Sequence, residues 1–157
     1  MTVSEVCRRH RRLAIDSNVL VYVLERSEPR AMIGRALIDA FESGLTRGVL
    51  SVLGLAELTA GPARLADPAH VERYVEQIRS IEGLHLQPMT AEIALDAGIL
   101  RGVRGIGLAD AIHLASARAA GATAFVTNDR RLRSSAHLEV VYLDDLEPGD
   151  GESAPKP

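Results

Sequence analysis

Aromatic residues make up only 3% of this chain and tryptophan is absent. A flat platform for stacking nucleic-acid bases is therefore not how it would hold a polynucleotide. Cys7 is the only cysteine. A lone thiol cannot build a disulfide framework or a Cys–His zinc site; set in a basic N-terminal segment, it reads as an exposed bystander in a reducing cytoplasm. Long apolar runs are missing too. The best candidate, Val19 to Leu24, is only part of a helix, so no membrane span is expected. The N-terminus, MTVSEVCRRHRRLAID, carries charge where a secretion signal needs apolar residues. There is no G-x-x-x-x-G-K-S/T loop and no G-x-S-x-G turn, and the five histidines form no metal-binding pair. His113, three residues after Asp110, reads as a helix packing or surface residue. Lysine is nearly absent: Lys156 is the only one, so the basic charge is carried by arginine, and the net charge is −3. Net charge thus gives no sign of a nucleic-acid partner, although local arginine clusters can still contact phosphate bidentately.

What is present is an alternation of short apolar runs with helical periodicities. Leu13 to Ile15, Gly48 to Val52, Leu84 to Gln87, Thr123 to Thr127 and Glu139 to Leu143 read as strands. Helices are expected from Ser17 to about Arg26, from Pro29 to Gly44, and through Leu55 to Leu58 until Gly61-Pro62. Others run from Asp67-Pro68 to about Ser80, from Thr90 to Leu100, and from Leu108 to Ala120. This pattern predicts one α/β domain, a central parallel sheet between two helical layers. The expected boundaries are a basic lead-in over 1–11, a solvated tail bearing Arg8, Arg9, Arg11 and Arg12 at its end, a domain over 12–146, and a disordered tail over 147–157.

Four acids stand out. Asp16 and Asp129 each end an apolar strand, the place where open parallel sheets bind ligands. Asp110 lies in the first turn of an alanine-rich apolar helix, and Glu57 is the one charge in Val52 to Leu58. A helix cap, a turn or a thin polar stripe would explain each acid singly. Together they repel: two carboxylates about 5 Å apart cost roughly 3 kcal/mol at an effective dielectric near 20. Four converging carboxylates require protons or a cation, and hard oxygen donors select Mg²⁺ or Mn²⁺ over zinc. Such an ion suits phosphate chemistry because it activates water and neutralises charge in an in-line displacement. Arg130 and Arg131 follow Asp129, and Arg101 and Arg104 precede the Asp110 helix, so both pairs are candidates to hold a nucleic-acid backbone at the rim.

The segments LAIDSNVLVYVLE, SVLGLAEL, GLADAIHLASA and FVTNDRRL, in that order, resemble the four acidic motifs of PIN-domain nucleases, and the length and single-domain build look most like VapC-type toxins of toxin–antitoxin pairs. The resemblance implies an α/β/α sandwich, a Mg²⁺ or Mn²⁺ site and hydrolysis of RNA phosphodiesters. It also implies a small antitoxin partner and a homodimer. Asp16 and Asp110 match the principal metal ligands, Glu57 and Asp129 the acids that complete the pocket, and Ser17 and Thr127 its hydroxyl lining. Two departures stand beside it: about a dozen residues precede the first strand, and Leu132 stands where many members carry a further acid. Two other functions fit less well. A PIN fold that only binds RNA or protein has no need of all four acids, and a phosphatase with Asp16 as nucleophile wants a second Asp where Asn18 stands.

Overall fold

The computed structural model describes residues 1–149. Five parallel strands run β1 (Arg12–Ile15), β2 (Arg47–Ser51), β3 (Leu84–Gln87), β4 (Ala124–Thr127) and β5 (Glu139–Tyr142). Their spatial order is β3-β2-β1-β4-β5. The helices are α1 (Val3–Arg9), α2 (Ser17–Leu24), α3 (Arg30–Glu42), α4 (Leu53–Arg64), α5 (Pro68–Arg79), α6 (Ala91–Arg104) and α7 (Leu108–Ala119). The expected α/β architecture with a parallel central sheet is what forms.

Period-two alternation along the strands divides the core. Leu13, Ile15, Leu50, Ala124, Val126 and Val141 face one layer, packed with residues of α1 to α5. Ala14, Val49, Phe125 and Val140 face the other, against Ile93 and Ala97 of α6 and Leu114, Ala115 and Ala117 of α7. The small residues of α7 let that helix lie close on the sheet. Because β1 pairs with β2 on one side and β4 on the other, the chain reverses its winding there. A crevice opens at such a switch, beyond the carboxyl ends of the strands.

Four boundaries differ from the sequence expectation. Residues 3–9 are a helix, not a lead-in. Thr2 and Glu5 form a reciprocal capping box, and Val3, Val6 and Cys7 at helical spacing are buried in the core. Cys7 is therefore interior, and burial pushes its thiol up to about 11. Arg8 and Arg9 lie on the exposed side of α1 and Arg12 begins β1, so the arginine cluster is no loose tail. Pro62 does not stop α4, which continues to Arg64; nor does Leu100 end α6, which runs to Arg104 and is capped by Gly105 in the left-handed region (φ 65°). Glu147 is paired, its carbonyl accepting from Val3 N at 2.9 Å and its amide donating to Met1 O at 3.0 Å. The rest of the expected disordered tail, from residue 150, lies outside the described residues. Among those described, no helix is long and apolar enough to cross a membrane.

Candidate metal and active site

Asp16 leaves the end of β1 and becomes the N-cap of α2. Its amide donates to Val126 O of β4 at 2.9 Å, which pins it at the β1/β4 switch. The carboxylate is 8% exposed by residue and is held from two sides. Thr127 Oγ1, completely buried at the end of β4, donates to Asp16 Oδ2 at 2.7 Å. Asn18 N reaches Asp16 Oδ1 only weakly, at 3.5 Å. Thr127 also accepts from Asp129 N at 3.0 Å, so one hydroxyl fixes both strand-end acids.

Glu57 arrives from α4, where it projects toward α7. Ser17 Oγ lies 2.6 Å from Glu57 Oε2 and 3.3 Å from Asp16 Oδ1, linking the two acids. His113 Nε2, on the first turns of α7, stands 2.8 Å from the same Glu57 oxygen. With a carboxylate as partner, that nitrogen carries the proton and donates. Donor atoms of Asp16, Glu57 and His113 all lie within 4.8 Å of one another. Glu57 is held below the usual carboxylate range by the His113 hydrogen bond, with Ser17 adding to it against partial burial. Burial draws the His113 imidazole down, but its bond to Glu57 and the charges of Glu57, Asp16 and Asp110 outweigh this and raise it. His113 Nδ1 is buried with no hydrogen-bond partner among the described residues.

Asp110, in the first turn of α7, and Asp129, after β4, form the outer part of the cluster. Arg131 reaches back to Asp129 with Nε at 3.0 Å and Nη2 at 2.6 Å, and its Nη2 lies 3.8 Å from Asp110 Oδ2. Asp129 is accordingly held low, mainly by Arg131. Asp110 goes the other way: burial raises it first, then the charge of Asp129, with Asp16 adding to this and Arg131 only partly offsetting it.

The four sequence-predicted acids are thus brought into one network, together with Ser17 and Thr127. The four arginines are not alike. Arg131 is a counter-ion of the acids themselves. Arg130 turns away to Asp145, at 2.6 and 2.9 Å, with its guanidinium 4.3 Å from the centre of the Tyr142 ring. Arg104, on the last turn of α6, donates to the Arg133 carbonyl, and Arg101 is exposed on the same turn. His113 is the residue that sequence reasoning passed over. Its one available signal was its position three residues after Asp110, nearly one helical turn and so on nearly the same face.

The PIN domain profile matches residues 13–138. No curated protein sequence gives a match. Among solved structures, the chain is similar to VapBC2 from Rickettsia felis, solved bound to a DNA fragment from its promoter. The TM-score is 0.63 at 19% identity, over 83% of this chain and 98% of that one. FitAcB from Neisseria gonorrhoeae superposes with a TM-score of 0.61 at 22% identity, over 87% and 97%. VapC20 from Mycobacterium tuberculosis, described as a toxin cleaving the sarcin–ricin loop, gives 0.56 at 16% identity, over 72% and 86%. At these identities the likeness is one of fold.

Proposed function

The chain belongs to the PIN-domain family of nucleases, and from that premise we propose that it is a Mg²⁺- or Mn²⁺-dependent endoribonuclease acting as the toxin of a toxin–antitoxin pair. The observation that carries the reading is the meeting of Asp16, Glu57, Asp110 and Asp129, from four separate elements, at the β1/β4 switch. A structural role for each acid alone gives no reason for that meeting.

The donor set fits a hard divalent cation. Of the three donors that converge within 4.8 Å, Asp16 and Glu57 offer carboxylate oxygens and His113 an imidazole nitrogen, while Asp110 and Asp129 lie outside that group and Cys7, the only thiol, is buried on α1. Asp16 and Asp110 are the proposed principal ligands, with Glu57 and Asp129 completing the pocket. When bound, the cation supplies charge neutralisation at the phosphodiester and activation of water. The chain's own residues do the positioning. Thr127 and Ser17 fix the rotamer of Asp16, and Ser17 and His113 together fix that of Glu57. Outer partners of this kind orient ligands and are costly to remove. Arg131, beside the acids, and Arg101, exposed on the last turn of α6, are the proposed contacts to the RNA backbone at the rim; Arg104 and Arg130 join them only by leaving the Arg133 carbonyl and Asp145.

The same reading includes a cytoplasmic location, a homodimer and masking of the site by a small antitoxin. Support for the antitoxin comes from the solved neighbours, which include toxin–antitoxin complexes. The deciding experiment is Mn²⁺ calorimetry paired with RNA cleavage. The wild type should bind the ion and cleave, and Asp16→Asn should lose both while keeping its circular dichroism. An unchanged ion affinity in that variant removes Asp16 from the site.

A further inference from the structure

A second charged concavity lies away from the acids. It is a groove of about 630 Å³ beside the C-terminal end of α7, floored by β2 and β3. Arg12, Arg47 and His85 line it, with Gln87 and the backbone of Ala120, and no lining residue is acidic. In a chain of net charge −3 that is a marked local excess of positive charge. Arg12 and Arg47 are register partners on adjacent parallel strands. Like charges set directly opposite each other destabilise a sheet unless something compensates. Arg12 spends one N–H on the Ala120 carbonyl at 2.6 Å, at the negative end of the α7 dipole, and keeps its other donors. Arg47 is exposed and has no ion-pair partner among the described residues. His85 Nε2 is 3.3 Å from Gln87 Oε1, which sets the imidazole along β3.

We propose that this groove is a second phosphate-binding surface, which holds the backbone of the RNA strand away from the acidic cluster. The choice of RNA rests on the ribonuclease reading; the affinity for phosphate does not. The two sites share α7: Asp110 is on its first turn and Ala119 at its end. At 1.5 Å per residue the two ends are about 14 Å apart along the helix axis. The middle of α7 is buried and the groove lies at the amino ends of the strands, so an RNA strand joining the sites passes around the outside. It spans more than the roughly four nucleotides that the axial distance alone would take. A net-acidic nuclease gains a positively charged hold on its substrate this way without placing more arginine against its own metal ligands.

The test uses metal-free full-length protein and a short 2′-O-methyl RNA, which resists hydrolysis. Arg47→Gln should lower the slope of log affinity against log salt by about one, and Arg47→Glu should also weaken low-salt binding by about an order of magnitude. In parallel, inorganic phosphate should shift the amide resonances of Gly48, Gly83 and His85 in the wild type and not in Arg47→Glu. Arg47 lies at the exposed start of β2, and Arg47→Gln, which removes the charge but keeps a shorter polar side chain, keeps the test informative if the charge reversal fails to fold. RNA that binds both variants with the wild-type slope overturns the groove and leaves the nuclease reading standing. Groove resonances that answer to phosphate in a protein that binds no RNA overturn the RNA assignment and count against the nuclease reading as well. Silence in both measurements overturns the proposal outright.

Discussion

The two halves of the acidic cluster are built differently. The inner half, Asp16 and Glu57, is tied by short hydrogen bonds to Thr127, Ser17 and His113, of which Thr127 is completely buried and the other two nearly so. The outer half, Asp110 and Asp129, meets a single guanidinium, that of Arg131, whose side chain is 81% exposed. Buried neutral and imidazole donors orient carboxylates rigidly, whereas an exposed ion pair of this kind contributes about 0–1 kcal/mol and is screened by salt. One half is fixed by buried donors; the other is held largely by an exposed guanidinium, with the Arg131 amide adding a 2.9 Å hydrogen bond to Asp129. Charge alone does not make a site, and the partners decide whether it is a fixed cradle or a replaceable cap.

The largest effects should come from the acids themselves. Asp16→Asn and Asp110→Asn are each expected to lower RNA cleavage more than about 100-fold, beyond the range for losing an outer partner, and to weaken Mn²⁺ binding by calorimetry. Equal cleavage by Asp110→Asn and wild type would reduce Asp110 to a helix-terminus residue. Next in size is the preorganising shell. His113→Ala should cost about 10–100-fold in activity or metal affinity, and His113→Gln, which can still donate to Glu57, should recover part of it. If the glutamine variant is no better than alanine, His113 is a packing residue and the inner half loses its claim to preorganisation.

The contrast between the halves also marks how far the sequence could be read. Asp16 and Asp129 were legible because each closes a buried apolar run, which is a local signal. Asp110 and Glu57 stood out as charges in apolar helices, but their meeting depended on the motif resemblance. The bond between Glu57 and His113 joins residues 56 positions apart, and no local pattern announces it. Nor could chain adjacency separate Arg130 from Arg131: consecutive residues point apart, one to Asp145 and the other to Asp129. The α1 helix is a different case. Val3, Val6 and Cys7 had helical spacing from the start, but the arginines beside them suggested a solvated tail, and amphipathic helices carry such charges on their outer face.

A smaller effect should sharpen the difference at Arg131. If it caps the outer acids until a divalent ion arrives, Arg131→Ala should tighten Mn²⁺ binding roughly 2- to 5-fold at low salt, the range of an exposed ion pair. The gain should shrink as ionic strength rises. RNA binding should weaken in the same variant, since a phosphate contact is lost. Weaker metal binding on removal of the arginine would mean that Arg131 organises the acids and does not compete for them.

The smallest effect, and the one that most directly separates repulsion from capping, is on stability without metal. Asp110 has its folded pKa raised above 3.8 by burial and by Asp129. A carboxyl with a raised folded pKa binds its proton more tightly when folded. Its contribution is therefore fully present below pH 3.8, is lost as pH rises through the raised value, and leaves a cost at neutral pH. Asp110→Asn removes that cost. In EDTA at pH 7 its melting temperature should rise by about 1–3 °C, and the gain should fade as the pH drops toward 3.8. Glu57, whose shift owes nothing to Asp110, loses stability on acidification in both proteins and cancels from the difference. Asp129 is coupled to Asp110 and ionises more readily once that charge is gone, which adds to the gain of the variant. Saturating Mn²⁺ should reverse the order, because the ion stabilises the wild type more than the variant. Favourable interaction of a first-turn carboxylate with the helix dipole, about 0.3–1 kcal/mol, pulls against this result. A variant that melts lower than wild type in EDTA at pH 7 would show that the dipole outweighs the repulsion, and that Asp110 belongs to its helix before it belongs to the site.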